Sequence, residues 1–172
     1  MNNRTDFLGA KIVTLHEAKQ QVEIWKLASH KVVFTNGCFD ILHKGHVSYL
    51  ARTAEHGNRL IVGLNSDASV KRQEKGENRP INDEAARATV LAALSCVDLI
   101  VLFDQDTPIE LIRELEPNVL AKGADYDPLE TDSHSKKHIV GSDIVRANGG
   151  EVVAIPLVDG FSTTAIVERL KK

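Results

Sequence analysis

The chain has 172 residues, 42% of them hydrophobic, a length that supports one domain with a sizeable core and not two ordinary ones. Its formal net charge of -3 argues against the broad basic surface that duplex nucleic acid attracts, so we expect no nucleic-acid partner. No apolar run has the length of a signal peptide or the roughly 20 residues of a membrane span, so we expect a cytoplasmic protein without membrane contact, with Cys38 and Cys96 reduced.

The first predicted element is a helix over residues 15–27, in which apolar side chains recur at helical spacing. Thr14 precedes this helix and Glu17 follows three residues later, a pattern that predicts a capping box. The first predicted strand comes after it, at residues 31–36. We therefore expect residues 1–30 to form an N-terminal helical extension that packs outside the core, followed by one domain of residues 31–172.

After residue 36 the chain alternates short runs of Val, Ile and Leu with helical patterns, which predicts βαβ units. Strands without apolar-polar alternation are typical of a parallel sheet covered on both faces. We predict an α/β fold with a single doubly wound, Rossmann-like parallel sheet and a ligand crevice beyond the carboxyl ends of its strands. The later strands are predicted at residues 59–65, 97–103, 118–121 and 151–156, and helices near Lys44 and at residues 83–94, 108–115, 139–147 and 163–170.

Two polar segments, residues 66–82 and 122–137, interrupt this pattern. Both follow predicted strands, so we expect both to lie as loops at the ligand end of the sheet, where long loops are usually functional. On the helix after the first segment, Arg87 comes four residues after Asp83 and is expected to be only its surface partner.

The most informative stretch is TNGCFDILHKGHVSYL, in which the strand ends near Thr35 and a helix begins near Lys44 or Gly45. His43 and His46 are three residues apart, so on the first turn of a helix their imidazoles and the Lys44 ammonium would converge. Three interpretations fit: ordinary histidines, a metal site completed by a carboxylate, and a phosphate site at a helix N-terminus. The phosphate site accounts for the most residues, including the glycines and the lysine.

A second anion-binding pattern, GFSTT, opens the last predicted helix with Gly160 and the hydroxyls of Ser162, Thr163 and Thr164. Such residues leave backbone N–H groups facing an anion, although Ser and Thr at this position also form ordinary N-caps. The sequence contains neither GxxxxGKS/T nor GxGxxG, so neither a P-loop NTPase nor a dinucleotide-binding dehydrogenase is predicted. The HxGH arrangement together with GFSTT resembles the cytidylyltransferase-like nucleotidyltransferase superfamily.

Over residues 11–170 the chain is similar to one family of that superfamily, the D-glycero-β-D-manno-heptose 1-phosphate adenylyltransferases, or ADP-heptose synthases. The stretches that carry this resemblance are TLHEAKQQVEIWK, VVFTNGCFDILHKGHVSYL, RLIVGLNSDASVKRQEKGENRPIN, VLAKGADY, ANGGEV and DGFSTT. The resemblance implies transfer of AMP from ATP, accompanied by Mg²⁺, to a heptose 1-phosphate, releasing pyrophosphate and giving ADP-heptose for lipopolysaccharide-type glycans. It also implies a homodimer or a higher homo-oligomer.

The resemblance further implies a role for each matching residue. Catalysis would rest on His43, His46 and Lys44, with Lys71 reaching phosphate from a basic loop. No residue is expected to hold a metal of its own. The implied nucleotide contacts are Asn36, Gly37, Cys38, Phe39, Gly45, Gly123, Asp125, Tyr126, Ser162, Thr163 and Thr164, and the implied sugar-phosphate contacts are Asp40, Asn65, Asp67 and Arg72.

Two other functions stay open on the sequence. A related enzyme would use CTP with glycerol phosphate or a similar small phosphate. A module of another class would keep the fold and bind a nucleotide or a metal without catalysis, because fold does not determine function.

Overall fold

The computed structural model describes residues 4–73 and 79–170, and within them six strands form one sheet. Every strand pair is parallel, in the order β1-β4-β3-β2-β5-β6. This confirms the predicted α/β fold with a doubly wound parallel sheet. The strands are β1 (Ile12–Val13), β2 (Val32–Gly37), β3 (Arg59–Asn65), β4 (Leu99–Phe103), β5 (Val119–Gly123) and β6 (Glu151–Ile155).

Helices cover both faces of the sheet, which explains the continuous apolar runs in its strands. On one face α2, α6 and α7 bury side chains such as Trp25, Ile112 and Val145 against the sheet. On the other face α3 and α5 bury Leu50 and Leu91. The helices are α1 (Arg4–Gly9), α2 (Leu15–Leu27), α3 (Lys44–Ala54), α4 (Asp67–Arg72), α5 (Glu84–Ala92), α6 (Ile109–Leu115), α7 (Ser142–Ala147) and α8 (Thr163–Leu170).

The strand order reverses between β2 and β5. From β2 the chain moves outward through β3 and β4 on one side of the sheet, and it then returns to β5 and β6 on the other side. Crevices form at such a reversal, beyond the carboxyl ends of the strands. Here those ends are Gly37 of β2 and Gly123 of β5, which places the expected ligand site between them.

The N-terminal segment differs from the expected helical extension, because it contributes a strand and part of the core. β1 pairs with β4 through Ile12 and Val13, a two-residue strand too short to leave a periodic pattern in the sequence. α2 has the predicted capping box, with Thr14 and Glu17 bonding each other's backbone N–H. Its buried face belongs to the core cluster on that side of the sheet. The division at residue 30 stays a prediction.

The first polar segment, residues 66–82, is not a loop throughout. Residues of α4 form a short helix whose N-cap, Ser66, accepts a hydrogen bond from the backbone N–H of Ser69. Residues 74–78 of this segment lie outside the described residues. The second segment, residues 122–137, begins with the last two residues of β5 and is irregular after Gly123, so it lies at the carboxyl end of the sheet. In the two described ranges no helix is both long and apolar enough to cross a membrane.

Candidate active site

A cavity of about 540 Å³ opens at the carboxyl ends of the strands, where the strand order reverses. It lies between the β2–α3 turn, the loop after β4, the loop after β5 and the segment before α8. Most of the predicted site residues line it. These are Asn36, Gly37, Cys38, Phe39, His43, Gly45, His46, Asn65, Gly123, Asp125, Tyr126, Ser162 and Thr163.

His43 and His46 form a stacked pair at the start of α3. Their ring centroids are 3.8 Å apart, and the ring planes are inclined by 17°. His43 is the N-cap of the helix, and its Nδ1 accepts a hydrogen bond of 3.3 Å from the backbone N–H of His46. The histidine pair therefore converges although the helix begins only at Lys44, because His43 turns its ring back over the first turn.

Both imidazoles are neutral near pH 7. Desolvation, and then repulsion from His43, lowers the pKa of His46 from 6.5 to about 4. Desolvation also lowers the pKa of His43. Because Nδ1 of His43 accepts a hydrogen bond, its single proton lies on Nε2, where it is available to a ligand.

Nδ1 of His46 is buried, and no described residue offers it a hydrogen bond of good geometry. The backbone of Ile41 nevertheless lies near enough to oppose part of the fall in its pKa. A second buried atom of the cavity, Oδ1 of Asn36, likewise lacks a partner among the described residues. Unsatisfied polar atoms are costly when buried, so both atoms are candidates to pair with a bound ligand or water.

The segment before α8 approaches the first turn of α3. A Cβ on Gly45 would lie 3.1 Å from Cβ of Phe161 and 3.0 Å from the His43 ring, so a side chain here would fill the gap between the helices. Ser162 is an N-cap as well as a cavity residue, since its Oγ accepts a hydrogen bond of 3.1 Å from the backbone N–H of Ala165. The two helix N-termini predicted to bind phosphate therefore face one cavity.

Lys44 does not converge with the histidines as expected. Its side chain is exposed, and its Nζ lies 5.3 Å from the centroid of the Phe161 ring. Neither Lys44 nor the exposed Thr164 lines the cavity. Their contacts with phosphate stay predictions.

Asp40, which is expected to contact the sugar phosphate, has protein partners in the structure, and its contact with a ligand stays a prediction. Its carboxylate is buried, and it accepts hydrogen bonds from Arg79 at 2.6 Å and from the backbone N–H groups of Ile81 and Asn82 at 2.8 and 2.9 Å. Asp40 does not line the main cavity. The acid thus fixes the segment before α5 and has little capacity left for a ligand.

Asp67 and Arg72, which are also expected to contact the sugar phosphate, each have a protein partner, and their contacts with a ligand stay predictions. Asp67 accepts a hydrogen bond of 2.7 Å from Arg87, and Arg72 donates one of 2.8 Å to Asp106. Arg72 also forms an ion pair with Asp104. Lys71 is exposed at the end of α4, and neither Lys71, Arg72 nor Asp67 lines the cavity.

Arg87 is the largest departure from the sequence interpretation. It was expected on the surface beside Asp83, but only 2% of it is exposed. Its guanidinium bonds to groups from three separate segments, at residues 38, 67 and 82. No spacing in the sequence indicates such a contact, because the three partners lie in separate parts of the chain: the turn after β2, the start of α4 and the segment before α5.

Several cavity residues were not among the predicted site residues. Lys122 comes directly before Gly123 in KGADY, donates to the backbone oxygen of Asn36 at 3.3 Å and lies 5.5 Å from the Tyr126 ring centroid. Tyr49 lies one turn after the HKGH motif, where burial raises the pKa of its phenol to about 12. The cavity residues to which the sequence assigned no role are Tyr49, Gln73, Asp106, Thr107, Pro108, Lys122, His138, Val140, Leu157, Val158 and Phe161.

Comparison with known proteins identifies the chain's family. A family model described as cytidylyltransferase-like matches residues 34–169. The chain belongs to the cytidylyltransferase-like family. This matched range contains both the HKGH and the GFSTT motifs, so it confirms the resemblance inferred from them.

Curated relatives of the family are highly similar to the chain. It is 54% identical over 160 residues to the "Bifunctional protein HldE" of Magnetococcus marinus, which covers 93% of this chain and 31% of that protein. It is 56% identical over 149 residues to the protein of the same name from Hyphomonas neptunium, covering 87% of this chain and 29% of the relative. The chain therefore spans about a third of the length of these relatives.

Solved structures support the fold. The lipopolysaccharide core biosynthesis protein from Thermoplasma volcanium superposes with a TM-score of 0.57 at 25% identity, covering 75% of this chain and 97% of that one. The pantoate-beta-alanine ligase from Francisella tularensis superposes with a TM-score of 0.59 at 14% identity, covering 93% and 76% of the two chains. The second likeness shows the fold alone.

Proposed function

We propose that the chain is an adenylyltransferase that transfers AMP from ATP to a heptose 1-phosphate, giving ADP-heptose and pyrophosphate. The observation that carries the proposal is the neutral, stacked pair His43 and His46 at the N-terminus of α3, facing the N-terminus of α8 across one cavity. Two helix N-termini and two imidazole donors suit a triphosphate.

The chemistry requires charge stabilisation more than a nucleophile. An oxygen of the sugar 1-phosphate attacks the α-phosphorus of ATP, and the bond from that phosphorus to the bridging oxygen of pyrophosphate breaks. The attacking oxygen is already ionised near neutral pH, so a strong general base is not needed. Nε2–H of His43 and a ring N–H of His46 would act as donors to the charge that develops on the phosphoryl oxygens.

Mg²⁺ would arrive with the triphosphate. The cavity fits this arrangement, because Mg²⁺ usually keeps several waters and needs only one or two carboxylates beside the phosphates. Asp106 and Asp125 line the cavity and would supply them. Bound there, the ion would neutralise part of the charge of departing pyrophosphate. The described residues contain no cluster of three or more His, Cys, Asp or Glu side chains that would hold a metal by itself.

The sugar acceptor rests on similarity. The chain matches the relatives named HldE at 49–56% identity, and the match extends through NSDASVKR and KGADY, well beyond the motifs that the wider family shares. The Thermoplasma volcanium protein that superposes on the chain carries a name from lipopolysaccharide core biosynthesis. A homodimer and a cytoplasmic location are further proposals that rest on the same resemblance, and light scattering tests the first.

The test is a matrix of substrates. Purified protein is incubated with ATP, CTP, GTP or UTP and with heptose 1-phosphate, glucose 1-phosphate or glycerol 3-phosphate, each with Mg²⁺. Pyrophosphate release and product mass are measured. We expect release with ATP and heptose 1-phosphate and a product with the mass of ADP-heptose.

Other results would redirect the assignment. Release only with CTP and glycerol 3-phosphate would replace the proposal with cytidylyl transfer. ATP binding by calorimetry without release from any acceptor would indicate a non-catalytic nucleotide-binding module. Binding of zinc by the purified protein, with no binding of ATP, would favour a metal site at the two histidines.

A further inference from the structure

Arg87 joins three segments around the cavity from a fully buried position on α5. Its Nη1 donates to the backbone oxygen of Cys38 at 2.7 Å, and its Nη2 donates to Oδ1 of Asp67 at 2.7 Å. Its Nε donates to the backbone oxygen of Asn82 at 3.1 Å. A planar guanidinium can hold three such acceptors in fixed directions, which a lysine cannot do.

The Cys38 carbonyl lies in the turn that connects β2 to the histidine pair. The next residue, Phe39, has a φ of 45°, a left-handed conformation that a side chain of this size rarely adopts. Such strain persists only where surrounding contacts enforce it. The bond from Arg87 to Cys38 is one of those contacts, because it fixes the peptide that leads into Phe39.

Phe39 in turn contacts the second histidine. The Phe39 ring meets His46 edge to face, with ring centroids 5.2 Å apart and ring planes inclined by 69°. Phe39 is buried and lines the cavity together with His46. A displacement of the turn would therefore reach the imidazole through one direct packing contact.

Asp40, the residue after Phe39, anchors the same turn a second time. Asp40 accepts hydrogen bonds from Arg79 and from the backbone of Ile81 and Asn82, and its own backbone oxygen accepts one of 2.7 Å from the Asn82 side chain. Arg87 bonds to the backbone oxygen of Asn82 as well. One hydrogen-bond network centred on Arg87 therefore connects the Cys38–Phe39 turn, α4 and the segment before α5.

We propose that Arg87 is a positioning residue for catalysis, which holds the Cys38–Phe39 turn against His46 and so keeps that imidazole desolvated and aligned for phosphoryl transfer. The proposal rests on the proposed function of the cavity. Arg87 does not touch substrate in it, but acts through Phe39. This role explains why α5 buries the charged side chain of Arg87 at a position where an apolar side chain would fill the space.

The test compares Arg87→Lys with a matched control, Arg59→Lys. Arg59 also pairs with an aspartate, Asp98 at 3.3 Å, but it begins β3 at the opposite end of the sheet from the cavity. Both changes keep the positive charge and remove the fork of donors. We expect Arg87→Lys to lower kcat by on the order of tenfold or more, because small misplacements at a reacting centre are costly. The control should change kcat by less than about twofold, as expected for a distant site.

A second readout separates positioning from general stability and needs no activity. The pKa of His46 is measured by NMR from its ring Cε1–H signal. The signal of His43 is followed in the same titration, because its ring stacks on His46 and also titrates. We expect Arg87→Lys to raise the pKa of His46 by about one unit or more, because a loosened Phe39 admits water to the ring. Arg59→Lys should leave it unchanged.

The outcomes are distinct. A folded Arg87→Lys protein with wild-type kcat and an unshifted His46 pKa overturns the proposal. If that variant does not fold, Phe39→Leu replaces it, because this change keeps the hydrogen bonds of Arg87 and removes the ring contact with His46. An unchanged kcat and an unchanged His46 pKa in Phe39→Leu would also overturn the proposal. Failure of the proposed function would appear differently, as a wild-type protein that releases no pyrophosphate while the pKa shift in Arg87→Lys is still observed.

Discussion

The imidazole rings of His43 and His46 stack at 3.8 Å, and Nδ1 of His43 accepts the backbone N–H of His46. This relationship has two consequences. The rings cannot both carry a positive charge at low cost, because like charges at this separation repel. The tautomer of His43 is also fixed, so Nε2–H is the donor that it can offer. Two neutral imidazoles therefore line the cavity, and the donor of His43 has a defined direction.

His46→Ala should lower turnover by about a hundredfold or more, on the scale of removing one transition-state donor. The measurement is steady-state pyrophosphate release from ATP and heptose 1-phosphate. His16→Ala is the matched control, because His16 is exposed on α2 and should be dispensable. Near-wild-type turnover of the His46 variant would remove it from the phosphate site.

The low pKa of His46 predicts that the free energy of unfolding decreases in mild acid. Its folded pKa is about 4 and its ordinary value is 6.5, so between these values the unfolded chain binds a proton that the folded chain does not. Stability from this group is full above pH 6.5 and falls towards pH 4, by at most about 1.4 kcal/mol per pH unit. His43 acts in the same direction.

Urea unfolding at pH 7 and pH 5 measures this decrease. In His46→Gln the difference between the two pH values should be smaller, since Gln does not titrate. An equal difference in the two proteins would show that the decrease comes from other groups.

Gly45→Ala should weaken ATP binding. Its new Cβ would lie 3.0 Å from the His43 ring and 3.1 Å from Cβ of Phe161, closer than ordinary contacts, so the gap between α3 and the segment before α8 would have to widen. We expect the Kd for ATP, measured by calorimetry, to rise about tenfold, as for the loss of one good contact. Gly9→Ala is the control, because nothing lies within 4 Å of its added Cβ.

Lys71 and Arg72 are neighbours that should behave differently. Lys71→Ala is expected to lower kcat/KM with little change in kcat, the result of losing a residue that captures substrate. Arg72→Ala should instead loosen Asp106, its partner at 2.8 Å, which lines the cavity. Exposed pairs are worth about 1 kcal/mol or less, so its melting temperature should barely change. An unchanged kcat/KM in Lys71→Ala would exclude that lysine from the site.

The sequence predicted those parts of the molecule whose causes are local. The capping box of Thr14 and Glu17 lies within four residues, and the strands are continuous apolar runs. The HKGH and GFSTT motifs each start a helix at the end of a connecting segment, so the parallel fold itself brings them to the same end of the sheet. Their meeting in one cavity therefore follows from pattern and topology together.

The sequence could not predict features that depend on distant partners. Arg87 is buried because residues 38, 67 and 82 each supply an acceptor, and only the folded chain brings these together. The hydrogen bonds of Asp40 could not be predicted for the same reason, since its partners Arg79 and Ile81 lie about forty residues away. β1 was missed because two residues carry no periodicity.

The short strand β1 also closes one edge of the sheet. β4 is an apolar strand, and β1 covers it through Ile12 and Val13, with the backbone oxygen of Lys11 accepting from Ile100 at 2.8 Å. An uncovered strand of this composition is a template for pairing with other chains. Removal of residues 1–30 would expose it, together with the apolar face beneath α2. We therefore expect a variant that begins at residue 31 to aggregate. Residues 1–30 would then protect the protein from aggregation in addition to packing against its core.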